Sequence, residues 1–155
     1  DLIGTQIGGA LKNIYAIAAG VAEGLNLGEN AKSALISRSF AEMTRYAKKF
    51  KADKNTLFGL SGLGDLILTC SSKNSRNTQF GIKLASSKYD NFLDLLKSQE
   101  VTEGYYTVKA VYNISQKKNI DMPIMESVYN ILYKQHDLKE ELSNLLSRPI
   151  TEEKI

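Results

Sequence analysis

The chain has 155 residues, 43% of them apolar and 24% charged, with a net charge of +3. That length and balance give one globular domain with a real core and exclude a disordered chain. The small basic excess gives no reason to expect a nucleic-acid partner and suits a small anionic ligand equally well.

Strand signals are scarce, and long stretches carry helical periodicity, so the fold class is all-α. The first helix is expected from about Gln6 to Leu25. Lys12 is its one charge between Leu2 and Ala22. The apolar length raises the question of a membrane span, but a central lysine, with Gln6 and Asn13 nearby, argues against one. Desolvation penalises an ammonium on such a stretch unless a carboxylate or an anionic ligand holds it. Two readings stay open: a lysine that snorkels from the helix edge to water, or one that handles a proton. Glycines recur as Gly4-x-x-x-Gly8 and Gly20-x-x-x-Gly24, which calls for close approach of a neighbouring helix or ligand. Gly24 and Gly28 bracket the turn that follows.

The second helix is expected from about Asn30 to Lys51. Leu35, Ile36, Phe40, Met43, Ala47 and Phe50 lie near one face, with Glu42 and Arg45 spaced for an ion pair on a polar face. Lys48, Lys49 and Lys51 read as complements to the helix dipole. From Asn55 to Cys70 the pattern is a short helix, a tight glycine turn and an apolar helix starting near Asp65. Asp65 is either the N-cap of that helix or the holder of a charged or hydroxyl group. Cys70, the single cysteine, cannot close an internal disulfide; it reads as a small core residue in a reducing compartment, which means the cytoplasm.

Asn74, Ser75, Arg76 and Asn77 combine an arginine fork, two amides and a hydroxyl at the start of a helix over about Arg76–Ala85, with Asn74 or Ser75 as its cap. The cluster is either a solvated loop or an anion site. A short helix over 90–97 follows. Later helices are expected over about Tyr105–Lys118, Pro123–Tyr133 and Leu138–Leu146, before a frayed tail at 151–155. No composition shift divides the chain, so residues 1–155 read as one domain. His136, the one histidine, reads as a surface residue, which leaves little material for a histidine triad or a metal site. No glycine-rich nucleotide-binding motif is present.

Ile7-Gly-Gly-Ala-Leu-Lys-Asn13, Gly62-Leu-Gly-Asp-Leu66, Asn74-Ser-Arg-Asn77, Glu103-Gly104 and Met122-Pro-Ile124 occur in series across the chain. In this order they resemble the C-terminal half of the bacterial NAD(P)-dependent glycerol-3-phosphate dehydrogenase family. The resemblance implies an all-helical substrate-binding domain, similar to the C-terminal domain of 6-phosphogluconate dehydrogenase. It also implies an N-terminal Rossmann domain, absent from this chain, that binds most of the NAD or NADP. The activity implied is interconversion of sn-glycerol 3-phosphate and dihydroxyacetone phosphate for phospholipid synthesis. By the same resemblance Lys12 is the catalytic lysine and touches substrate. Asp65, Ser75, Arg76 and Asn77 bind substrate, while Arg76, Val101 and Glu103 contact the cofactor. A homodimer is compatible with it. The alternatives are a non-enzymatic helical interaction module, or a related dehydrogenase acting on another hydroxy acid.

Overall fold

The structure is a computed structural model that describes residues 1–86, 94, 95 and 101–149. All regular structure among these residues is helical, in agreement with the all-α expectation. The expected helix over 90–97 and the tail at 151–155 fall largely or wholly outside the described residues.

Helix α1 runs Leu2–Gly24, starting four residues earlier than periodicity alone suggests. The reason is a cap. The Asp1 carboxylate accepts from the backbone N–H of Ile3 at 3.1 Å and of Gly4 at 3.0 Å, satisfying donors that the first turn would otherwise leave open. It also accepts from Asp53 N at 2.7 Å, which ties the head of α1 to the next connection. From Ile14 to Ala22 every residue of α1 is buried. The helix is therefore the axis of the domain, and the others pack around it.

Helix α2 spans Glu29–Lys49, after a turn in which Gly28 takes φ 88°. Helix α3 (Lys54–Phe58) leads into a π-helical turn over Leu60–Gly64, which continues directly into α4 (Asp65–Ser71). Helix α5 covers Arg76–Ala85, α6 Glu103–Lys118, α7 Pro123–Lys134 and α8 Leu138–Ser147. Helices α2, α4, α5, α6 and α7 all contact α1. The α1–α5 seam is the most intimate. A Cβ on Gly20 would overlap the Thr78 carbonyl, and one on Gly81 would overlap the Ile17 carbonyl. Gly20 of α1 thus serves backbone-to-backbone packing on α5.

The second helix departs from expectation in one respect. Glu42 does not pair with Arg45 on a polar face. It is 1% exposed, and its carboxylate accepts from Ile124 N at 2.5 Å and Met125 N at 3.2 Å. It therefore caps α7 from another helix, at the N-terminus where free donors and partial positive charge favour an acceptor. Arg45 instead donates from Nε to the Asp121 carbonyl at 2.9 Å. Burial pushes the Glu42 carboxyl up to about 8, against the lowering effect of those two N–H groups. Cys70 is buried and free, and burial pushes its thiol up to about 12. His136 is exposed, 2.7 Å from Glu141 Oε1. Among the described residues no helix is long and apolar enough to cross a membrane.

Candidate functional site

Lys12 leaves α1 at the point where the helix passes from a half-open N-terminal segment to its sealed core. Its Nζ lies 2.5 Å from Asp65 Oδ2, and both side chains keep partial access to solvent, 24% and 33%. The long apolar reach of α1 is thus resolved by a carboxylate partner, one of the ways in which such an ammonium can be held. Asp65 is not the N-cap of α4. It sits in the first turn of that helix, behind Gly64, and spends its oxygens on side chains. Oδ2 takes the Lys12 ammonium, and Oδ1 accepts from Thr69 Oγ1 at 3.3 Å. Of the two readings open in the sequence, the holder of a charged group is the one that the geometry carries.

The first turn of helix α5 meets both segments that carry this pair, Asn77 at Asn13 of α1 and Thr78 Oγ1 at the Thr69 carbonyl of α4. Ser75 is its N-cap, its hydroxyl oxygen accepting from Thr78 N at 3.3 Å. Asn77, in the first turn, is buried. Its Nδ2 donates to Asn13 Oδ1 at 3.1 Å, and its Oδ1 accepts from Gly104 N at 3.0 Å. Asn13 Nδ2 lies 3.5 Å from Glu103 Oε2. One chain of amides therefore joins α1, α5 and α6 through the residue that follows Lys12. The absence of a side chain at Gly104 belongs to this junction, since a Cβ there would stand 2.8 Å from both the Asn13 carbonyl and Asn77 Oδ1.

Arg76 differs from its neighbours. It is exposed at the head of α5 and makes no hydrogen bond or ion pair among the described residues. A guanidinium left free at a helix N-terminus, where backbone N–H groups and the dipole favour anions, fits a phosphate. Val101 is half-buried, two residues before the exposed Glu103, and has no polar partner through its side chain. The structure thus brings Lys12 to Asp65, and it links Asn77 and Glu103 to Asn13. Among the described residues Arg76 and Val101 make no side-chain hydrogen bond or ion pair to that cluster. Asn13 and Thr69 were not singled out from the sequence. The signals were there: Asn13 adjoins Lys12, and Thr69 lies four residues after Asp65 on a helix, which places the two side chains on one face. Among the described residues no group of acidic, histidine and cysteine side chains is arranged to hold a metal ion.

Comparison with known proteins identifies the family of the chain. Residues 1–143 match the family model described as NAD-dependent glycerol-3-phosphate dehydrogenase C-terminus. The chain is 46% identical over 148 residues to a glycerol-3-phosphate dehydrogenase [NAD(P)+] of Colwellia psychrerythraea, covering 96% of this chain and 44% of that protein. A protein of the same name from Staphylococcus carnosus is 45% identical over 149 residues, with the same coverage of 96% and 44%. Among solved structures, glycerol-3-phosphate dehydrogenase of Coxiella burnetii superposes with a TM-score of 0.89 at 40% identity, covering 96% of this chain and 45% of that one. The chain therefore spans a little under half the length of the relatives it matches.

Proposed function

The chain belongs to the family of NAD-dependent glycerol-3-phosphate dehydrogenase C-terminal domains, and from that membership we propose that it forms the substrate-binding half of an enzyme interconverting sn-glycerol 3-phosphate and dihydroxyacetone phosphate. The observation that carries the reading is the Lys12–Asp65 contact, an ammonium and a carboxylate at 2.5 Å on a partly open face.

In the reducing direction the Lys12 ammonium gives a proton to the oxygen at C2 as the carbonyl becomes an alcohol. In the oxidising direction the neutral amine takes that proton back. Asp65 holds Nζ in one place through both directions, and Thr69 fixes the other carboxylate oxygen. Arg76 clamps the phosphate end of the substrate, so that C2 is presented to Lys12 at a set distance. Ser75 keeps a hydroxyl hydrogen free to donate to the same phosphate while its oxygen caps α5. Asn77 acts mainly by holding the head of α5 against α1 through Asn13.

The nicotinamide, when bound, supplies the hydride chemistry. The Arg76 guanidinium, which has no hydrogen-bond or ion-pair partner among the described residues, fits the phosphates of the dinucleotide, and the exposed Glu103 carboxylate fits a hydroxyl or amide donor; with Val101 they make the contribution of this chain to cofactor binding. The remainder is assigned to a Rossmann domain N-terminal to Asp1, a reading supported by the share of the relatives that this chain spans. Cytoplasmic supply of glycerol 3-phosphate to phospholipid synthesis follows from the same reading. The test is an assay of the full-length protein with dihydroxyacetone phosphate and each reduced cofactor, beside Lys12→Met. Turnover by the parent and a loss of about 10² to 10⁴ in kcat for the variant are expected. A variant with parental kcat refutes the role of Lys12.

A further inference from the structure

Lys12 and Asp65 belong to two segments that meet at two levels. Gly8 lies one turn before Lys12 on α1, and Ser61 lies four residues before Asp65 on the π turn. At the upper level the two charges touch. At the lower level backbone meets backbone: a Cβ on Gly8 would overlap the Ser61 carbonyl oxygen, which cannot swing aside as a side chain would. Gly62 completes the seat from the other side, since a Cβ there would overlap the Leu57 carbonyl. The contact is specific to position 8, because a Cβ on Gly9 would meet nothing within 4 Å.

The turn itself is wide. Gly64 N donates to Gly59 O at 3.2 Å, and Asp65 N bonds back to Leu60 O, both in the five-residue register. A π turn holds one more residue than an α turn. Each residue advances a helix by about 100°, so removing one would swing Asp65 away from the direction of Lys12. The side chain of Leu60 is 89% exposed, so the extra residue is not retained to fill the core.

We propose that Gly8 and the π turn Leu60–Gly64 are a positioning device for the proton-transfer pair: Gly8 seats the turn on α1, and the turn aims the Asp65 carboxylate at Lys12 Nζ. This rests on the reading that Lys12 moves the proton. Gly8 is a positioning residue, acting on the reaction only through Asp65.

A double-mutant cycle in the full-length enzyme tests the two claims separately. Asp65→Asn alone reports on the proposed function, and an unchanged kcat there counts against that reading rather than against the device. Given a loss from Asp65→Asn, Gly8→Ala is expected to lower kcat by about tenfold or more in the parent and by less than about twofold in the Asp65→Asn background. Its KM for the phosphorylated substrate should stay within about threefold, because the Arg76 end is untouched. Deletion of Leu60, which closes the turn toward α register without removing a packed side chain, enters the same cycle with the same expected pattern. Equal fold-losses in both backgrounds overturn the proposal. So does failure of both variants to fold by circular dichroism, since the seat then serves the fold alone.

Discussion

Two carboxylates of this domain face opposite demands. Glu42 is sealed beneath α2 and receives two backbone N–H groups from the head of α7. The Asp65 side chain is a third exposed and receives a lysine and a threonine side chain. Burial raises the proton affinity of Glu42, and at 1% exposure the residue is closed to a ligand. Asp65 keeps both an opening to solvent and a charged partner. A perturbed buried carboxyl is often taken as a sign of function, but here the perturbed group is a clamp between helices, and the accessible ion pair is the better candidate for chemistry. Perturbation marks a place where burial and polarity conflict; access decides whether that conflict is of use to a substrate.

The largest difference expected between the two regions is kinetic. Lys12→Met should remove about 10² to 10⁴ of kcat, whereas Glu42→Gln should leave kcat within about threefold, since it touches no group of the open face. Steady-state assays of both variants on one preparation make the comparison, and a kcat loss at Glu42 as large as that at Lys12 would break it. Next comes Arg76→Ala. Removing a charged hydrogen-bonding partner of the phosphate should weaken substrate binding by about 1.5–3 kcal/mol, roughly ten- to a hundredfold in KM. Glycerol, which carries no phosphate, should be handled equally by parent and variant. A uniform effect on both substrates would remove Arg76 from the phosphate.

The stability of the domain supplies a test from the side of Glu42. Its carboxyl sits at about 8 in the fold against an ordinary 4.5. The folded state therefore holds one more proton than the unfolded chain between those values. Stability from this group is fully present below pH 4.5, declines as pH rises through that window and is lost above about 8. The slope can reach at most about 1.4 kcal/mol per pH unit for one proton. Urea unfolding at pH 5, 7 and 9 should show the decline in the parent and a flatter profile in Glu42→Gln. A parent profile that rises with pH relative to Glu42→Gln would show that the two N–H donors of α7 outweigh burial.

Most of the fold was legible because α1 announces itself. Its apolar length, its glycines at helical spacing and its single lysine state that it is central and closely approached. Pro123 and the capping polar residues fixed later helix starts to within a few residues. Local signals failed where the partner is distant in sequence. Nothing near Glu42 reveals that its acceptors will meet the head of α7, 82 and 83 residues away, and an i,i+3 neighbour of opposite charge suggested a surface pair instead. Asp65 was ambiguous for a related reason. A carboxylate after glycines suits an N-cap, and only the packing of the π turn on α1 turns it toward Lys12. The resemblance to a known family carried Arg76 and Asn77 as one unit, while the fold distinguishes them: the amide is buried and tied to Asn13 and Gly104, and the guanidinium is exposed with no hydrogen-bond or ion-pair partner among the described residues.

The smallest expected effect concerns Ser75, which stands between the two regions in character, because the proposed function asks one hydroxyl both to cap α5 and to meet the substrate phosphate. The two tasks use different parts of the group. The oxygen accepts from Thr78 N at 3.3 Å, and the hydrogen is left to donate. Ser75→Ala loses both, and should cost about 1 kcal/mol of stability, the usual scale for removing such a cap. Ser75→Asp separates them. An aspartate caps as well as serine, so stability should return to within about 0.5 kcal/mol of the parent. Yet its carboxylate has no hydrogen to give and places negative charge beside the incoming phosphate, so KM for the phosphorylated substrate should rise about tenfold or more. Thermal unfolding and steady-state kinetics on the two variants read the tasks independently. If Ser75→Asp restores both stability and KM, the hydroxyl serves the helix alone, and the anion is held by Arg76 and the free N–H groups of the first turn.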